Sequence, residues 1–248
     1  MNLLTNCLAI AWIAFALTPL SARAQSAPPK SSSSEPWDPI TAYHERQVEG
    51  WRVLVNQKLD CDEQRKFFDD TLKLLGDHLY RVSRVVPAEA LAKLRQVPIW
   101  VELSHPQHKC MCYHPSPDWL RAHGMNPEKA GAVELANAAT FLKWTHEQPW
   151  MVLHELAHAY HHRFIGHDNA EIKECYKHAV ESKKYDAVLY IHGNKKRHYA
   201  LNNDQEYFAE CTEAFFGAND FYPFVSAELK EHDPEMHALL KKLWGVRQ

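Results

Sequence analysis

WMVLHELAHAYHHRF, residues 150–164, sets four histidines and a glutamate on a segment whose apolar residues step by three and four. Trp150, Leu153, Ala157, Tyr160 and Phe164 trace one stripe of a helix, with Pro149 suited to its first turn and Gly166 to its stop. On that helix His154 and His158 lie one turn apart on one face, so both imidazoles can be aimed at a single point. Zinc accepts nitrogen ligands at about 2.0–2.1 Å in a tetrahedral set, and this pair supplies half of it. Glu155 stands beside them, placed to take a proton from a water rather than to ligate. His162 lies too far along the axis from His154 to share its ion, and His161 and His162 therefore read as surface residues or as supports for the ligands.

A catalytic zinc takes a third protein ligand and keeps one position open. The metzincin continuation needs glycine at 161 and histidine at 164, where this chain has His161 and Phe164. A ligand near Lys177 or His178, as in thermolysin-like enzymes, lacks the N-E-x-x-S-D surround. The stretch HYALNNDQEYFAECTEAFFG, residues 198–217, offers more: Asn203 or Asp204 caps a helix that ends at Gly217 and carries Glu206 and Glu210 on successive turns of one face. Like charges at that spacing on a partly buried helix need a compensating cation or hydrogen bonds. Glu206 is the expected third ligand, and Glu210 the residue expected to orient a ligand from behind.

H154-E-L-A-H158, followed by Tyr199 and then E206-Y-F-A-E210, resembles the gluzincin metallopeptidases of the anthrax lethal factor and Pro-Pro endopeptidase type. The resemblance covers about Ala132 to Gly217. It implies Zn2+ held by His154, His158 and Glu206, Glu155 as the general base, and Tyr199 as the group that steadies the oxyanion. A phenol hydroxyl can donate to an oxyanion in a site that partly excludes water, and His198 is the rival for that role. Residues 37–131 carry no part of the resemblance and leave the substrate preference open.

The rest of the chain frames this motif. Leu8–Leu17 is an apolar run broken by Pro19 and followed by Ala22-Arg23-Ala24, which reads as a signal peptide over 1–24, with a retained membrane anchor as the alternative. QSAPPKSSSSEP, residues 25–36, reads as a disordered Ser/Pro tether. Export makes one or two disulfides among Cys61, Cys110, Cys112, Cys175 and Cys211 the expectation. A net charge of −3 and the lack of any phosphate-binding glycine loop give no pointer to nucleic acid or an anionic membrane.

Val48–Asn56 reads as a strand. A helix capped at Asp60 or Asp62 then carries Phe67, Leu72, Leu75, Leu79 and Val82, and Val97–Leu103 reads as a second strand completing a βαβ unit. Residues 104–127 read as loop, with Pro106, Pro115, Pro117 and Pro127 as punctuation; the metal-capable residues within them, His105, His108, Cys110, Cys112 and His114, read as a disulfide or plain loop. GAVELANAATFL, residues 131–142, reads as a strand at or near an edge, where an extended peptide could add. Helices over Asn169–Lys184 and PEMHALLKKLWG and a hairpin turning at Gly193-Asn194 complete the pattern.

The expected fold is α+β, a zincin-like single domain over 37–248 with a mixed sheet packed against helices. The expected activity is an exported, secreted or periplasmic, zinc-dependent endopeptidase acting on a peptide or protein, without nucleic acid and without stable membrane insertion once the signal is cleaved. A non-proteolytic zinc amidase of cell-wall peptides and a zinc-stabilised binding module are the alternatives. The sequence leaves the oligomeric state open.

Overall fold

The hydrophobic run at Val53–Val55 begins a sheet whose two faces have different work. A computed structural model describes residues 36–105 and 108–247, all within one compact unit, Glu35–Gln248. The signal peptide expected at 1–24, and the expected tether apart from Pro36, lie outside the described residues. The strand expected at Val48–Asn56 is one arm of a hairpin with its turn: β1 (Tyr43–Val48) pairs antiparallel with β2 (Trp51–Asn56) through Glu49 and Gly50, both at positive φ. Such two-residue turns match the right-handed twist of the strands. A Cβ on Gly50 would come within 2.6 Å of the Arg95 side chain, so glycine is needed there twice over.

From β2 the chain runs through α1 (Arg65–Val85) and α2 (Ala88–Leu94) to β3 (Ile99–Val101), which pairs parallel with β2 as a βαβ unit requires. A 3-10 turn over Asp62–Gln64 leads into α1, and neither Asp60 nor Asp62 is its cap. Its buried face is Phe68, Thr71, Leu75, His78, Leu79 and Val82, while Phe67 and Leu72 flank it half-buried.

Residues 104–127 are more than loop. They hold β4 (Met111–Tyr113) and the short α3 (Pro117–Ala122), the latter capped by the Ser116 hydroxyl accepting from the Trp119 N–H. β5 (Val133–Leu135) pairs parallel with β3 on one side and antiparallel with β4 on the other, so the order is β1-β2-β3-β5-β4 and β4 takes the edge foreseen for β5. A three-residue strand between prolines has too little pattern to declare itself; its partner does that.

Alternation along these strands sorts the side chains. Val53, Val55, Ile99, Val101, Val133 and Leu135 join the main core. Leu54, Trp100, Glu134 and Cys112 are in register across the opposite face, where Leu54 and Trp100 form a small cluster with Tyr43.

After α4 (Ala138–Trp144), capped by Asn137, comes α5 (Met151–Tyr160), which carries the histidine motif. It continues into a π-helical turn, His161–Gly166. α6 (Ala170–Ser182) begins at the Asn169 cap, and the hairpin β6 (Val188–Leu189) and β7 (Lys195–Lys196) follows. α7 (Asp204–Phe216) packs along α5, and α8 (Ser226–His232), unforeseen in the sequence, leads to α9 (Pro234–Leu243). Tyr160 stacks on Trp244 at 4.1 Å between ring centres, an arrangement worth about 0.5–1.5 kcal/mol beyond its buried area. Gly217 ends α7 where the Trp150 indole passes so close that any Cβ would overlap it, tying the end of α7 to the start of α5.

The fold is thus α+β with a mixed five-stranded sheet, as expected. The disulfides are not: Cys61, Cys110, Cys112, Cys175 and Cys211 are all free thiols. Cys110 is turned to the Met151 sulfur at 3.7 Å and Cys112 to His114 at 3.5 Å, so neighbours in the strand face different partners. Among the described residues no helix is long and apolar enough to cross a membrane.

Candidate metal centre

The pairing of α5 with α7 brings together three side chains from two distant segments. His154 Nε2 and His158 Nε2 are 3.0 Å apart, and Glu206 Oε2 lies 3.1 Å from the first and 3.3 Å from the second. Ligands on a tetrahedral ion at about 2.0–2.1 Å are separated by roughly 3.3–3.4 Å, close to all three distances. Asn203 caps the helix that carries Glu206, its side chain accepting the Glu206 N–H at 2.8 Å.

Behind His154, its Nδ1 meets Glu213 Oε1 at 2.7 Å. A ring that donates Nδ1–H to this carboxylate keeps a bare lone pair on Nε2, which then faces a carboxylate oxygen and a second imidazole nitrogen. Such a meeting of donors needs a cation between them. Without a metal the proton takes that part: burial pushes His154 down, but its hydrogen bonds to Glu206 and Glu213 outweigh this and raise it well above the usual histidine range. Burial likewise pushes Glu206 up, and the hydrogen bonds and charges of His154 and His158 more than reverse it, holding the carboxyl well below its usual range. The donor set fits a dication, and the three residues could hold one.

Glu210 is not the residue that orients His154. Its nearest oxygen is 3.7 Å from Nδ1, beyond hydrogen-bonding reach, and it instead accepts from Asn219 Nδ2 at 2.8 Å. Glu213, overlooked in the sequence, makes the contact. The signal was present, because Glu206, Glu210 and Glu213 step by four and three along one helix face. Burial and the charge of Glu213 raise Glu210 well above the carboxylate range, and the same two causes bring Asp220 up to about 7.

The centre opens into a cleft of about 500 Å3 walled by β4, with Tyr190, Lys196 and Tyr199 also among its lining. Glu155 lines it, one carboxylate oxygen accepting the Tyr113 N–H of β4 at 2.8 Å. Tyr199 is 48% exposed in the lining, whereas His198 is buried behind it, stacked on Phe221 and accepting the Ala200 N–H. Burial holds the His198 ring down to about 3, so the rival for the oxyanion role is neutral and out of the cleft. His161, expected at the surface or as a support, is buried with both ring nitrogens lacking a hydrogen-bond partner.

Besides His154 with Glu210 and Glu213, a further metal-capable trio, Cys112, His114 and Glu134, is on the sheet face away from the main core. It encloses a cation of its own, since Lys129 Nζ bonds both Glu134 and Glu102. Cys112 and Glu134 both approach the same His114 nitrogen, and burial drives the thiol far above its usual range, so this is no nucleophile with a base.

Comparison with family models, curated proteins and solved structures finds no match to this chain.

Proposed function

We propose that this chain is an exported zinc-dependent endopeptidase with a zincin-like active site, hydrolysing peptide bonds in a peptide or protein substrate. The observation that carries the reading is the triangle of His154, His158 and Glu206 donor atoms, with edges of 3.0, 3.1 and 3.3 Å, opening on a cleft. Zinc bound there would polarise a carbonyl and lower the pKa of a water. Glu155, one residue from His154 and at the cleft wall, takes the proton from the attacking water and passes it to the leaving amine. Tyr199 donates from the cleft lining to the oxyanion; burial and the charge of Glu206 raise its pKa, so the phenol keeps its proton at neutral pH. β4 is the last strand of the sheet and lines the cleft, which gives an extended peptide a backbone to pair with.

The test is Glu155→Gln in the mature chain, assayed on a peptide library with metal content measured alongside. Zinc stays and turnover falls by about 10²–10⁴-fold. A Gln variant as active as the parent overturns the reading. Glu206→Ala loses the metal while Glu210→Ala keeps it; equal retention by both removes Glu206 from the centre.

A further inference from the structure

The π-helical turn after α5 gathers a second group of imidazoles that the centre above does not use. His161, His162 and His167 line a second recess of about 200 Å3, whose wall also includes His158 and Glu206. In an uninterrupted α-helix a five-residue step carries a side chain about 140° round the axis. The wider turn over His161–Gly166 instead brings His162 and His167 to 5.7 Å between ring centres, with His161 and His167 at 6.2 Å. Imidazoles sharing one ion have ring centres roughly 5 Å apart, given metal–nitrogen bonds of about 2.1 Å, so His162 and His167 stand near ligand spacing and His161 must move closer to join them. π turns of this kind often sit at functional sites.

Two further features point to a ligand. His161 is 1% exposed, yet neither of its ring nitrogens has a hydrogen-bond partner, a costly state for a buried imidazole. The Tyr113 hydroxyl meets His162 Nδ1 at 2.7 Å, and a ring anchored at Nδ1 presents Nε2 as its free donor, which is how metal-binding histidines are held. We propose that His161, His162 and His167 form a second, all-nitrogen site for a d-block dication such as zinc, separate from His154, His158 and Glu206.

The experiment counts zinc by native mass spectrometry on the tag-free chain after equilibration with Zn2+. The parent carries two ions. His162→Ala/His167→Ala carries one, its second-site affinity falling by more than about 100-fold, and His162 and His167 are exposed enough for the fold to persist by circular dichroism. Glu206→Ala loses the other ion and keeps this one. The proposal is overturned if the double histidine variant binds as much zinc as the parent, or if the parent binds none. A single ion that is lost with His162 and His167 but indifferent to Glu206 leaves this site standing and removes the proposed active centre instead.

Discussion

Two buried clusters of glutamate and histidine, both reached from the edge of the sheet, differ in where their positive charge comes from. On one face Glu102 and Glu134 share Lys129, with Tyr43 and Asn56 donating to Glu102 and His114 bonded to Glu134. Every oxygen there has a partner within the chain, and the contacts have closed to hydrogen-bond length. Between α5 and α7 lie Glu206, Glu210 and Glu213, and among the described residues no lysine or arginine comes within ion-pair distance of any of them. Glu206 and Glu213 meet imidazoles, and Glu210 meets the Asn219 amide. A buried acidic cluster with a lysine among its partners has its charge balanced within the fold, whereas one without must be balanced by protons or by a bound cation.

Removing the internal cation is the strongest way to break this contrast. Lys129→Ala leaves Glu102 and Glu134 buried without their shared ammonium group, and should cost about 3–5 kcal/mol in urea unfolding while zinc content is unchanged. A loss below about 1 kcal/mol, the worth of a surface pair, would dissolve the distinction.

A second test titrates that cluster. Burial pushes Glu134 up, but the hydrogen bond from His114 and the charge of Lys129 prevail and bring it down to about 2 from an ordinary 4.5. A carboxyl more acidic folded than unfolded stabilises fully above pH 4.5, and that contribution is lost as pH falls through 2. Between pH 6 and pH 2.5 the parent should therefore lose about 2.5 kcal/mol more than Glu134→Gln. Parallel stability curves for the two proteins would mean that His114 and Lys129 together do not hold this carboxylate ionised.

The two clusters were unequally legible in the sequence, for a physical reason. His154 and His158 are one helical turn apart, so their convergence is a local property, and Glu206 was found because its helix is periodic and capped. Lys129 lies between the loop read at 104–127 and the strand read from 131, with no pattern of its own; its burial comes with its approach to Glu102 and Glu134. β4 was hidden likewise, because its three residues become a strand by pairing with β5. The strand expected at Val48–Asn56 is β2 with its turn, and β1 is missing from the sequence reading because Tyr43–Val48 is mostly exposed and lacks an apolar alternation. Glu213 was legible and overlooked.

The smallest effect expected separates orientation from ligation within the metal centre. Glu213 touches His154 at Nδ1 and lies on the far side of the ring from the Nε2 that faces Glu206 and His158. Glu213→Gln keeps the shape and can still accept Nδ1–H through its amide oxygen, but it removes the charge that makes Nε2 a stronger donor. Zinc affinity should fall by about 10–100-fold, some 1.4–2.7 kcal/mol, with one ion still bound at saturation. Glu210→Gln, whose carboxyl is held by Asn219 rather than by His154, should change affinity far less. If the two substitutions weaken zinc equally, the effect is the bulk charge of the cleft and not the bond to His154, and the ring's orientation would have to come from its packing between α5 and α7 alone.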